Sequence, residues 1–301
     1  MNWIDLEWEI ITPMFLHGYE NRKAIELRAP PVKSLMRYWW RALHGNFKTE
    51  ILYKRESETF GAADENLGKS KFQLRILPYD NLSQKKYILI QKPKKIVKRM
   101  GISPGYKFKI RTQTHEKRPF LEKYILLQYL SLVLGGLGQR VRRGAGALKF
   151  LGFPNSSIEV EFDFERDILV ILNDIIELFT DLNYELNIPN KRIDLDDNRN
   201  LYNFPYLKSI IIGKEFDNWE GIRSEIDKLC HNFKHKYKKD YNSMGFAFSD
   251  NKLASPLFIS IIKENSKYNP IMSKLNPVFP NKVPPPADVD KIPNKFINNL
   301  S

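Results

Sequence analysis

Lys33, Arg37, Arg41 and His44 recur at intervals of three and four residues, so a helix at about 100° per residue carries them on one face. Leu35, Met36, Trp39, Ala42 and Leu43 take the other face, with Trp40 at the border. A solvated charged face normally mixes signs to gain i,i+4 pairs, yet no acid occurs between Arg28 and Asn46. The pattern predicts a phosphate-binding stripe laid on a buried one, with Trp39 in the core and Arg37 at the ligand.

Two further stretches share this chemistry. Residues 85–118 hold twelve Lys or Arg and a single acid, Glu116, with Tyr87, Tyr106 and Phe108 interleaved. Cations can follow a phosphate backbone while aromatic rings stack on bases. The reading is an RNA-gripping hairpin that uses Lys94, Lys95, Lys98, Arg99, Lys107, Lys109 and Arg111. Residues 135–146 (GGLGQRVRRGAG) combine five glycines with Arg140, Arg142 and Arg143. Glycines let backbone N–H groups approach an anion, and the arginines would neutralise it. A dinucleotide fingerprint needs glycine at Val141 and a preceding strand, whereas a helical pattern precedes the loop. A phosphate-binding NTPase loop needs Lys-Ser/Thr after its last glycine, and none follows.

Catalytic and metal chemistry find little footing. His17 is a lone histidine after the first strand, with no second proton carrier apparent in the sequence. His231 and His235 stand at i,i+4 beside Cys230, too few ligands for a metal among so many lysines. Residues 194–200 suggest a calcium loop, but Arg199 occupies the glycine position and Pro205 that of the closing glutamate. Neither a catalytic residue, a metal nor a cofactor is expected.

These stretches need a scaffold. Residues 3–11 alternate apolar and charged side chains, the period of a half-buried strand. Pro30-Pro31 opens a helix over 32–44; strands follow at 71–77, 87–91 and 106–112. A helix over 119–134 is apolar almost all round and belongs between layers, and a strand follows at 147–153. This β-α-β-β-α-β order is that of a ferredoxin-like, or RRM-like, domain. The second half suggests strands at 158–164, 210–212 and 257–262, and helices at 166–182 and 219–237. A Pro-rich segment, 277–293, precedes a short terminal helix. The expected fold is α+β, two ferredoxin-like domains at 1–154 and 155–301.

Composition agrees. The chain has 301 residues, 42% hydrophobic, and a net charge of +13. Residues 1–150 hold 29 Lys+Arg against 13 acids, while 151–301 hold 19 against 22. A basic half joined to a near-neutral one points to a polyanion bound by the first. The single cysteine suits a reducing, cytoplasmic setting. No apolar stretch reaches the roughly 20 residues of a membrane span.

The glycine-rich loop resembles the signature of the RAMP superfamily of CRISPR proteins. Residues 12–16 (TPMFL) and 28–41 (RAPPVKSLMRYWWR) resemble the opening of the large two-domain RAMP subunit at the head of type III-B (Cmr) effectors. Residues 56–61 (ESETFG) and 252–257 (KLASPL) are similar to two further elements of that family. Departures are His17 and Lys252, where the family usually has Gly and Arg, and Val141 and Ala145 within the loop. The resemblance implies RAMP domains of ferredoxin-like fold, no cofactor, guide and target RNA and other RAMP subunits as partners, and a place near the guide RNA 3′ end. It also implies that target cleavage belongs to the backbone subunits. A metal-independent endoribonuclease that processes guide RNA is the alternative.

Overall fold

The computed structural model describes residues 1–18, 25–63, 68–92, 95–197, 199, 201–237, 242–248 and 251–301. The first unit is built on β1 (Asn2–Ile10), α1 (Ala29–Ala42), α2 (Thr49–Phe60), β2 (Phe72–Pro78), β5 (Lys107–Thr114), α3 (Arg118–Gly135) and β6 (Leu148–Ser156). Between β2 and β5 comes a separate hairpin, β3 (Gln84–Lys92) and β4 (Lys95–Ile102). The antiparallel sheet runs β2-β5-β1-β6, the strand order of a ferredoxin-like domain. Ile4, Leu6, Trp8 and Ile10 point from β1 into the core, as their alternation requires. β6 continues to Ser156, two residues past the expected boundary at 154.

The second unit contains α4 (Ile168–Phe179), β7 (Tyr184–Asn187), β8 (Arg192–Leu195), β9 (Leu207–Ile212), α5 (Trp219–Tyr237), β12 (Leu257–Glu264), β13 (Lys267–Leu275) and α6 (Lys291–Asn298). A small ribbon, β10 (Phe246–Phe248) and β11 (Asn251–Leu253), lies outside its sheet. The sheet runs β12-β13-β9-β8-β7. Started at β9, the order β9-α5-β12-β13, closed by α4 and β8, repeats the neighbour pattern of the first unit as a circular permutation. The second unit is therefore ferredoxin-like in arrangement, with its last helix and strand moved to the front.

That permutation corrects one expectation. Residues 158–164 form no strand; the alternation of Ile158, Val160, Phe162 and Phe164 instead packs those side chains against the core. Phe164 meets Tyr129, Phe150 and Phe153 at ring-centroid distances of 4.9–5.3 Å. Alternation reports a buried side, not a hydrogen-bonded neighbour.

α3 is the shared element, buried from Tyr124 to Gly135 between the first sheet and β12 and β13 of the second. Its all-round apolar surface is thus explained. One continuous core joins Trp8, Trp39 and Phe108 to Ile176, Ile210 and Ile271 across both units. Among the described residues, no helix is long and apolar enough to cross a membrane.

Candidate nucleic-acid interface

α1 begins with Pro30 and Pro31 in its first turn and buries Val32, Met36, Trp39 and Trp40, as the stripe predicts. Its basic face is different from the expected one. Arg37 and Arg41 both grip Oε1 of buried Glu56, at 2.9 and 2.7 Å. Arg37 also donates to the carbonyls of Phe60, at 3.1 Å, and Gly61. The acid absent from the neighbourhood in sequence is supplied by α2, and the 56–61 element is its arginine-capped end. His44 is corrected outright. It is buried, stacked between Trp40 and Phe47 at 4.1 and 4.8 Å, with Nδ1–H donating to the Trp40 carbonyl at 2.6 Å. Burial holds its pKa below the ordinary histidine value. Lys33 stays half-exposed over Phe72, its pKa lowered by burial and then by Arg37.

The open face of the first sheet also departs from a bare cationic surface. β1 and β5 pair so that Asp5 faces Arg111, Glu7 faces Lys109 and Glu9 faces Lys107. Opposite charges across antiparallel strands stabilise by about 0.2–1 kcal/mol each. Arg111 forks onto fully buried Asp5 at 2.7 and 2.9 Å and lies 4.0 Å over the Trp3 ring. Lys109 lies 4.7 Å over Tyr79. Trp3 and Tyr79, the aromatic rings beside these strands, each thus carry one of the protein's own cations on a face.

In the glycine-rich loop, several backbone donors are already occupied. The N–H groups of Leu137, Gln139 and Gly146 bond to Gly146, Phe15 and Pro13 carbonyls at 2.9–3.0 Å. Gly144 donates to the Ile259 carbonyl of β12 at 2.7 Å. Its φ is +71°, and a Cβ there would meet Ile261 Cδ1 at 2.9 Å, so glycine is required for this docking. Arg142 donates to the Ser255 carbonyl and, at 3.1 Å, to the Tyr38 hydroxyl, with its guanidinium 3.8 Å over Phe258. Arg143 reaches Asp227 of α5 at 3.8 Å. The anion-neutralising role expected of these arginines is corrected for two of them: Arg142 and Arg143 tie the loop to the second unit. Arg140 takes a left-handed φ of 64°, its pKa lowered by burial and by Arg143.

The hairpin folds back rather than protruding. Leu89 packs with Phe15 and Ala145, and the Gln91 N–H donates to Asp227 at 3.1 Å. Tyr87 meets Trp219 edge-to-face at 6.2 Å. Lys98 is exposed and Arg99 bonds Gln139 at 3.3 Å; Lys95 lies in β4, and Lys94 lies outside the described residues.

Two grooves remain beside the first turn of α1, sharing Ser34. One, about 570 Å³, is lined by Lys33, Arg37, Lys69 and Arg75 with Phe72, and no carboxylate lines it among the described residues. The other, about 600 Å³, runs between α1 and the glycine loop past His17, Tyr38 and Gln139. Sequence reasoning missed Lys69 and Arg75, which have no helical spacing to advertise them. No group of three His, Cys, Asp or Glu that could hold a metal occurs among the described residues.

Residues 8–149, most of the first unit, match the model of the RAMP superfamily. The chain is homologous to the CRISPR system Cmr subunit Cmr1-1 of Pyrococcus furiosus, with 25% identity over 298 residues, 87% of this chain and 84% of that one. Cmr1-2 of the same organism is 28% identical over 175 residues, 47% of this chain and 91% of its own. The crystal structure of apo Cmr1 from P. furiosus shares the fold, with TM-score 0.60 and 18% identity across 99% of this chain and 97% of that one. A chain in the cryo-EM structure of type III-B Cmr-beta, bound to cognate target RNA and AMPPnP, matches with TM-score 0.61 and 12% identity, across 99% and 98%.

Proposed function

We propose that this chain is a non-catalytic, RNA-binding subunit of a type III-B (Cmr) CRISPR effector in antiviral defence, seated at the head near the guide RNA 3′ end. The observation that carries the reading is homology to a Cmr subunit over 87% of the chain. The grooves beside α1 give it a physical basis: Lys33, Lys69 and Arg75 have no ion pair among the described residues, in a groove of about 570 Å³. Guide or target RNA would run from there past the glycine loop to the hairpin, with other RAMP subunits abutting the same complex. The RNA-binding residues proposed are Lys33, Lys98, Arg99 and Arg140 from the sequence stripes, joined by Lys69 and Arg75.

A second reading is favoured by one observation. His17 lies in the groove with Tyr38, which places two titratable groups beside a candidate RNA path. A guide-processing endoribonuclease would use such a pair around a 2′-hydroxyl. Incubating the purified chain with labelled repeat RNA, without metal, separates the readings. The proposed subunit leaves the RNA intact and binds it with an affinity that falls steeply with salt. Cleavage abolished by His17→Ala would replace the first reading with the second.

A further inference from the structure

We propose that the cleft between the β3–β4 hairpin and α5 is a clamp for one nucleotide of a single-stranded RNA, its base on Trp219 and Tyr87 and its phosphate among Lys85, Lys86, Lys98 and Arg223. This rests on the RNA-binding reading above and adds to it a site on the near-neutral half of the chain. The cleft measures about 520 Å³, within the range of about 300–1,000 Å³ that holds small ligands. The hairpin supplies one wall and α5 the other, so the site exists only when the two units are docked.

Its charge is unbalanced. Lys85, Lys86 and Lys98 are exposed on the hairpin wall and form no ion pair among the described residues. Arg223, 9% exposed, lines the α5 wall, and its buried Nε has no hydrogen-bond partner among the described residues. Burial and the proximity of Arg140 lower its pKa, with Asp227 opposing them. Asp227 already accepts from the Gln91 N–H and faces Arg143, so one carboxylate serves three guanidiniums. Glu220 is the only other acid lining the cleft among the described residues. A phosphate is the anion this arrangement lacks.

The aromatic pair supplies the second half of a nucleotide site. Trp219 and Tyr87 meet at 72°, and in that geometry the ring presenting its edge keeps both faces clear of its partner. A base stacked on such a ring binds with little sequence preference. Continuity favours a strand over a free nucleotide. Arg223 lies 5.8 Å over Phe15, which lines the glycine-loop groove, and Arg99 bonds Gln139 on that groove's rim.

The test titrates a fluorescein-labelled oligouridylate into the full chain, with uridine monophosphate in a parallel arm. Trp219→Ala should weaken oligouridylate binding about 10-fold, as loss of one stacked base does. Trp219→Phe should restore most of it at an unchanged melting temperature. Should Trp219→Ala unfold the protein, Lys86→Glu with Lys98→Glu decides, because both side chains are exposed and their loss leaves the core intact. Wild-type binding retained in that double variant and in folded Trp219→Ala overturns the clamp while RNA binding elsewhere stands. No salt-dependent binding by the wild type removes the RNA reading itself and the clamp with it. Monophosphate bound as tightly as the oligomer, and lost in Trp219→Ala, would make the cleft a free-nucleotide site and overturn the assignment to a strand.

Discussion

The glycine-rich loop and the β3–β4 hairpin look alike as sequence, each a run of cations beside glycine or aromatic residues. Folding gives them opposite surroundings. The loop meets a carbonyl at Ser255, a ring at Phe258 and a carboxylate at Asp227, and its arginines become fasteners between two units. The hairpin meets α5 at a rim where Lys85, Lys86 and Lys98 form no ion pair among the described residues, although Glu220 and Asp227 line the same cleft. Whether a cation is available to a ligand is set by what the chain brings against it, and the sheet face repeats the lesson with Asp5, Glu7 and Glu9 against Arg111, Lys109 and Lys107.

Substitutions can break that comparison, the severest first. Trp39→Ala, in the core that the loop helps close, should destabilise by about 3–5 kcal/mol in denaturant titrations. Arg142→Ala should cost about 2–3 kcal/mol, through two lost hydrogen bonds and a ring contact, where a surface cation would cost nothing. Arg37→Ala should cost about 1–2 kcal/mol, because buried Glu56 then keeps only Arg41 among the described residues. A melting temperature unchanged by Arg142→Ala would return the loop to the ligand-binding side of the comparison.

His44 sharpens the comparison through pH. Its folded pKa lies below the ordinary value of about 6.5, so the neutral form is the one the fold holds. The stability it contributes is complete above that value and falls as acid protonates the unfolded chain preferentially. Melting temperature should therefore fall as pH drops below about 6.5, and less so in His44→Phe. Equal slopes in the two proteins would place the acid sensitivity elsewhere.

Long periodic patterns were legible: α1, α3 and α5 lie where spacing puts them, and Trp39 is buried as its stripe requires. Short or interrupted strands were not. β7 and β8 have four residues each, with charges among them, and β13 carries Pro270 in mid-strand. Pro270 is tolerated because its ring removes only a donor, while its carbonyl accepts from Gly213. α2 went unread because its apolar stripe is thin, and with it went Glu56, the acid that claims Arg37 and Arg41. Charge counting directed attention to residues 1–150, away from Trp219 and Arg223. Partners that arrive from 15 to more than 100 residues away are invisible to local pattern, and they decide which cations remain for RNA.

The most direct measurement compares two triple variants in one salt-dependent RNA titration, beside their melting curves. Lys85→Ala, Lys86→Ala and Lys98→Ala together should keep the wild-type melting temperature and reduce the salt slope by about one unit per lost phosphate contact. Arg140→Ala, Arg142→Ala and Arg143→Ala together should instead lower the melting temperature, with a smaller change in slope among molecules that remain folded. The reverse outcome, a stable loop variant with a collapsed salt slope and a hairpin variant that binds like the wild type, would contradict the division of labour drawn here.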